Sequence, residues 1–103
     1  MAKLKLFWTK TALKQRNYTF AYWNAKNKSN LYSKRLLSLI NTRTNILLTF
    51  PEIGKKVDFD NTRAISLEHF SIFYTVDVDK IIIIAFWDNR RDSKKLIQYL
   101  KNN

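Results

Sequence analysis

The sequence predicts a single α+β domain over residues 1–103: an N-terminal strand, a helical hairpin, a three-stranded antiparallel meander forming a small sheet packed on the helices, and a short C-terminal helix. Three observations carry this. Apolar residues recur at helical intervals in the first half and switch to the alternation of strands from Arg63 onward. Pro51 and Gly54, the single proline and single glycine of the chain, fall at the switch. The run Ile81-Ile82-Ile83-Ile84-Ala85-Phe86-Trp87 is apolar on both faces, as an interior strand is.

Each element follows in order. Lys3-Leu4-Lys5-Leu6-Phe7-Trp8 alternates like a half-buried strand, and Thr9 or Thr11 can cap the helix behind it. From Ala12 to Lys28 there is no helix breaker, and Leu13, Phe20 and Trp23 lie near helical spacing. Many Asn, Tyr and Thr residues lower its intrinsic propensity, so packing must hold it.

Ser29 or Asn30 caps a second helix. Its apolar stripe reads Leu31, Tyr32, Leu36, Leu39/Ile40, Ile46/Leu47 and Phe50, with Arg43 in the same register and its stem along the core. Pro51 ends it. Three strands are expected at Arg63–Leu67, Phe70–Val76 and Lys80–Trp87, with Phe70, Ile72, Tyr74 and Val76 on the face that meets the helices. Asp77-Val78-Asp79 joins the last two, and the first strand is expected beside the last. The remaining segment, Ser93–Leu100, forms a helix capped by Asp92 or Ser93, and either it or a partner must cover the second face of the isoleucine strand.

Charge is distributed unevenly. The chain carries 19 Lys and Arg against 8 Asp and Glu, a net +11. Residues 1–51 hold ten of the basic residues and none of the acidic ones, a one-sign field suited to a polyanion or an acidic protein partner. Without cysteine there is no disulfide framework and no thiolate chemistry, which suits a reducing cytoplasm. No stretch reads as a secretory signal or membrane span. One histidine and no cysteine make no zinc site, and the acidic residues sit apart in turns rather than in a two-metal cluster. A single glycine rules out a Gly-rich phosphate loop. No cofactor is implied.

The candidate site residues gather after the isoleucine strand, in Asp88-Asn89-Arg90-Arg91-Asp92. Adjacent arginines there can grip carboxylate or phosphate with bidentate forks, or Arg90 and Arg91 can pair with Asp88 and Asp92 and close the sheet. Arg63, at the start of its strand, can approach the same surface, whereas Lys55 and Lys56 read as solvated charge. His69, in a turn beside Glu68, reads as structural rather than as a general base. Trp8, Trp23 and Trp87 lie in elements where packing explains them better than base stacking.

Trp8 to Ala12, Pro51-Glu52-Ile53-Gly54, His69-Phe70-Ser71-Ile72-Phe73-Tyr74 and Trp87-Asp88-Asn89-Arg90-Arg91-Asp92-Ser93-Lys94-Lys95-Leu96 together resemble the RelE/ParE superfamily of toxins from type II toxin–antitoxin systems. The order of these segments carries the likeness, and it covers nearly the whole chain. The resemblance implies a cytoplasmic, plasmid-stabilisation type of toxin wrapped by a cognate acidic antitoxin. RelE-type members cut messenger RNA on the ribosome; ParE-type members inhibit DNA gyrase. Ser71 stands where a RelE-type toxin has an arginine, Leu96 falls about where its tyrosine is expected, and no lysine lies between Lys56 and Lys80. Arg90 does match. The resemblance therefore implies a ParE-like gyrase inhibitor, with a ribosome-dependent, metal-independent endoribonuclease and a non-toxic antitoxin-binding module as the alternatives. In the ribonuclease case His69 or Asp88 would have to accept the proton.

Overall fold

The computed structural model describes residues 4–101, the side chain of Ser93 excepted, so Lys3 of the expected first strand lies outside the described residues. The elements run β1 (Lys5–Trp8), α1 (Lys10–Asn27), α2 (Leu31–Thr49), β2 (Lys55–Lys56), β3 (Arg63–Leu67), β4 (Phe70–Val76), β5 (Lys80–Asp88) and α3 (Ser93–Lys101). The sheet order is β1-β5-β4-β3-β2, antiparallel except where β1 lies parallel to β5. The α+β architecture is the expected one, with one addition: Lys55 and Lys56 are exposed as anticipated but pair with Ala64 and Arg63 as a two-residue edge strand.

Local chemistry sets the helix ends. Thr9 Oγ1 accepts the Ala12 N–H at 3.1 Å and starts α1. Lys28, in the left-handed region at φ 52°, closes it with its N–H on the Asn24 carbonyl. Ser29 Oγ, rather than Asn30, takes the Leu31 N–H at the start of α2. Asp92 Oδ1 accepts the Lys94 N–H at 2.9 Å at the start of α3.

The helical hairpin covers one face of the sheet around Leu36, Ile40, Leu47, Phe70, Ile72, Tyr74, Ile81 and Ile83. The buried seam of α2 is Ser33, Leu36, Ile40, Thr44 and Leu47, so the stripe expected from sequence is corrected by a fraction of a turn. Leu31, Ile46 and Phe50 are exposed, and Arg43 points outward with Thr44 in its place. Thr44 can be buried because its hydroxyl donates to the Ile40 carbonyl at 2.9 Å. Val76 is also corrected. It ends β4 at the Asp77–Asp79 turn and is 42% exposed, unlike Phe70, Ile72 and Tyr74.

β5 serves both faces through a bulge. Phe73 pairs with Ala85 and Tyr74 with Ile83, leaving Ile84 as the extra residue. The alternation is reset there: Ile81 and Ile83 belong to the hairpin core, whereas Ala85 and Trp87 join Leu96 and Leu100 of α3 on the other side. The second face thus has its cover, a nine-residue helix at one end of the sheet.

Candidate functional site

At the end of β5 the chain turns through Asp88–Asp92 into α3. Arg90 grips Asp88 with a two-pronged contact, Nε to Oδ1 at 2.9 Å and Nη2 to Oδ2 at 2.7 Å, and the Arg90 N–H also donates to Oδ1. The Arg90 hydrogen bond holds the Asp88 carboxyl below its ordinary pKa, against the opposing effect of partial burial. The same bond raises Arg90. The turn is tied to the β3–β4 hairpin, where Asn89 donates its N–H to the His69 carbonyl at 2.8 Å and accepts the Ser71 hydroxyl at 2.7 Å. Ser71 thereby has a structural use where the ribonuclease pattern has an arginine.

The two arginines differ. Arg90 spends its fork on Asp88 and lies 5.7 Å from the Trp23 ring. Arg91 lies 4.4 Å over the Trp87 ring and has no ion pair among the described residues. His69 is exposed in the hairpin turn beside Glu68, whose φ is 54°. Glu68 instead pairs with Arg35 across to α2 at 2.6 Å.

Arg63 is elsewhere in its bonding. Its guanidinium donates to the Glu52 carbonyl at 3.0 Å and the Gly54 carbonyl at 2.8 Å. Tyr74 works on the same loop: its hydroxyl donates to the Pro51 carbonyl at 2.8 Å and accepts the Gly54 N–H at 2.9 Å. Burial raises the Tyr74 pKa, so the hydroxyl stays a donor. A Cβ at residue 54 would come within 2.7 Å of Tyr74 Cε1, which is why glycine stands there. Arg63 and Tyr74 together fasten the loop after α2.

Of the five candidates, the structure brings Asp88, Arg90 and Arg91 together, ties His69 to their turn through its backbone, and uses Arg63 as a loop fastener. It also gathers residues the sequence did not assign to the site. Gln15, Tyr18, Tyr22, Trp23 and Lys26 of α1 line a hollow of about 370 Å³ with Arg90 and Arg91. Lys14, Gln15, Tyr18, Arg91 and Tyr99 line an adjoining one of about 440 Å³. Their only sequence signal is the spacing of Lys14, Tyr18, Tyr22 and Lys26 at every fourth position, an aromatic and basic stripe on a helix whose core contribution is small. Tyr99 sits on α3, 6.0 Å from the Trp87 ring.

Among the described residues no group of three or more His, Cys, Asp and Glu residues could hold a metal ion, and no helix is long and apolar enough to cross a membrane. The arrangement is cationic, aromatic and open, the make-up of a binding surface.

The same fold occurs in a solved chain of the chromosomal ParDE toxin–antitoxin system from P. aeruginosa, with a TM-score of 0.70 at 17% identity over 82% of this chain and 94% of that one. The two chains therefore share a fold. Residues 6–93 match the model of the ParE toxin of the type II toxin–antitoxin system parDE, and the chain belongs to that family. A search of curated proteins finds no match.

Proposed function

We propose that this protein is a toxin that works in the cytoplasm by binding and inhibiting DNA gyrase, and that a cognate acidic antitoxin neutralises it. The observation that carries the choice of binding over RNA cleavage is the Asp88–Arg90 fork. Both carboxylate oxygens of Asp88 are engaged by Arg90, and its lowered pKa makes it a poor proton acceptor near neutrality. Arg63, a phosphate-binding candidate from sequence, is committed to two loop carbonyls. Membership of the ParE family supports the gyrase target, and the all-basic first half supports an acidic antitoxin.

Supercoiling by purified gyrase, run with and without the protein and beside a ribosome-dependent mRNA cleavage assay, tests this. Loss of supercoiling with intact RNA is expected. Codon-linked cuts with normal supercoiling would replace the reading with the ribonuclease one. Activity in neither assay, with unaffected growth on expression, would leave a non-toxic antitoxin-binding module.

A further inference from the structure

β5 outruns β1. Its partner strand ends opposite Ile83, and from Ile84 to Asp88 the outer edge of β5 faces α1. There Gln15 reaches from α1, and its Oε1 accepts the Phe86 N–H at 2.8 Å. The side-chain amide thus stands where a neighbouring strand's peptide group would stand. A partner cannot simply add a strand at this point, so whatever binds the groove between α1 and α3 must be read through side chains.

Three features state which chemistry is read. First, a donor without an acceptor lies in the groove wall: the Phe86 bond fixes the Gln15 amide orientation and leaves its Nε2 buried and without a hydrogen-bond partner. Second, Lys14, Lys26 and Arg91 have no ion pair among the described residues, and Asp88, the carboxylate that lines the groove, is taken by Arg90. Third, cations already lie on the tryptophan rings, Arg91 at 4.4 Å over Trp87, and Lys26 at 5.1 Å and Arg90 at 5.7 Å over Trp23. Bases need open ring faces to stack on. The tryptophan rings are covered, while Tyr18, Tyr22 and Tyr99 stay exposed; what the cations still offer is their N–H groups, which suits carboxylates.

We propose that the α1–α3 groove binds an acidic peptide segment of a protein partner, with Arg91 as its main carboxylate anchor and Asp88 as an internal stand-in that holds Arg90 until a partner carboxylate competes for it. This deepens the antitoxin reading and rests on it. Arg91 is the open half of the pair and Arg90 the latched half.

The test uses the intact protein and a fluorescein-labelled deca-glutamate peptide at about 0.15 M salt, where long-range attraction is largely screened. Arg91→Ala is expected to weaken binding ~10-fold or more, and Arg91→Lys, which keeps the charge without the fork, by less. Asp88→Asn is expected to tighten it several-fold by freeing Arg90. Lys55→Ala, the same charge change on the far edge, should alter it less than about twofold. Equal losses for Arg91→Ala and Lys55→Ala would reduce the effect to net charge and overturn the site. No gain with Asp88→Asn would overturn the latch. Tighter binding of a ten-residue oligothymidylate through Arg91 would make the groove a nucleic-acid channel and overturn the peptide reading. Gyrase inhibition measured on the same variants keeps the two readings apart, because peptide binding can fail while inhibition persists, and the reverse.

Discussion

The two faces of the sheet share β5 and are built very differently. On the hairpin side, two helices of 18 and 19 residues bury Leu36, Ile40, Leu47, Phe70, Ile72, Tyr74, Ile81 and Ile83 completely. On the other side, a nine-residue helix sets Leu96 and Leu100 over Ala85 and Trp87, with the half-buried Phe59 of the β2–β3 loop beside them. Burial of apolar surface is the main stabilising term, so global stability resides on the first face. The arginines and the groove lie where α1 of the hairpin meets the Arg90–Arg91 turn and α3. The smaller apolar cover of the second face makes local opening easier there than on the hairpin side.

The contrast can be broken by substitution. The largest effect is expected on the hairpin side: Leu36→Ala, in a site enclosed by two elements, should cost ~2–5 kcal/mol in urea unfolding. A loss well under 1 kcal/mol would mean that the hairpin core is not the main store of stability. Next come the fastenings of the loop after α2. Gly54→Ala drives a methyl group into the Tyr74 ring and should cost ~1–3 kcal/mol. Tyr74→Phe strands the Gly54 N–H and is expected to cost ~1–2 kcal/mol. If both are neutral by thermal unfolding, Tyr74 is merely a space filler.

On the second face, Leu96→Ala should act locally. Hydrogen exchange should lose protection in residues 93–101 while β4 and β5 keep theirs. Equal loss through the whole sheet would show that α3 is an integral part of the core. The smallest effect belongs to the exposed pair between α2 and the β3–β4 turn: Arg35→Ala should lower the unfolding midpoint least of all these changes, and less still at high salt.

Acid sharpens the comparison further. The folded Asp88 pKa lies below its unfolded value, so its contribution is complete above the unfolded pKa and fades as pH falls through the folded one. Stability from this pair is thus constant near neutrality and lost only in the acid range. An NMR titration of the Asp88 carboxyl should show a midpoint below the ~3.9 of an unperturbed aspartate, and Arg90→Ala should move it upward.

Most of the fold could be read from the sequence because each element carries its own period. The strands, the hairpin and the interior place of the isoleucine run are all matters of local alternation. The α2 seam was misjudged because Ser33 and Thr44 are polar and buried; their hydroxyls are satisfied by the Phe20 and Ile40 carbonyls, a solution invisible to a hydrophobic pattern. The bulge at Ile84 was equally hidden, since a run of four isoleucines shows no change of face. At the site, pairing of Arg90 or Arg91 with Asp88 or Asp92 was one of two uses the sequence allowed, and the fold selects Asp88 with Arg90. The α1 lining was not legible: Gln15 meets Phe86 across 71 positions, and only the fold brings that helix alongside the Arg90–Arg91 turn.

The parallel pairing of β1 with β5 has a consequence for biosynthesis. Lys5 lies opposite Lys80 and Trp8 opposite Ile83. β1 therefore has no strand to join until the ribosome has made residues 80–83, a wait of roughly 4–15 s at about 5–20 residues per second. Until then the sheet is unfinished, and pairing over so long a span is among the slower folding events. The protein cannot acquire its complete surface on the way out of the ribosome. Its synthesis contains its own delay before the sheet is complete.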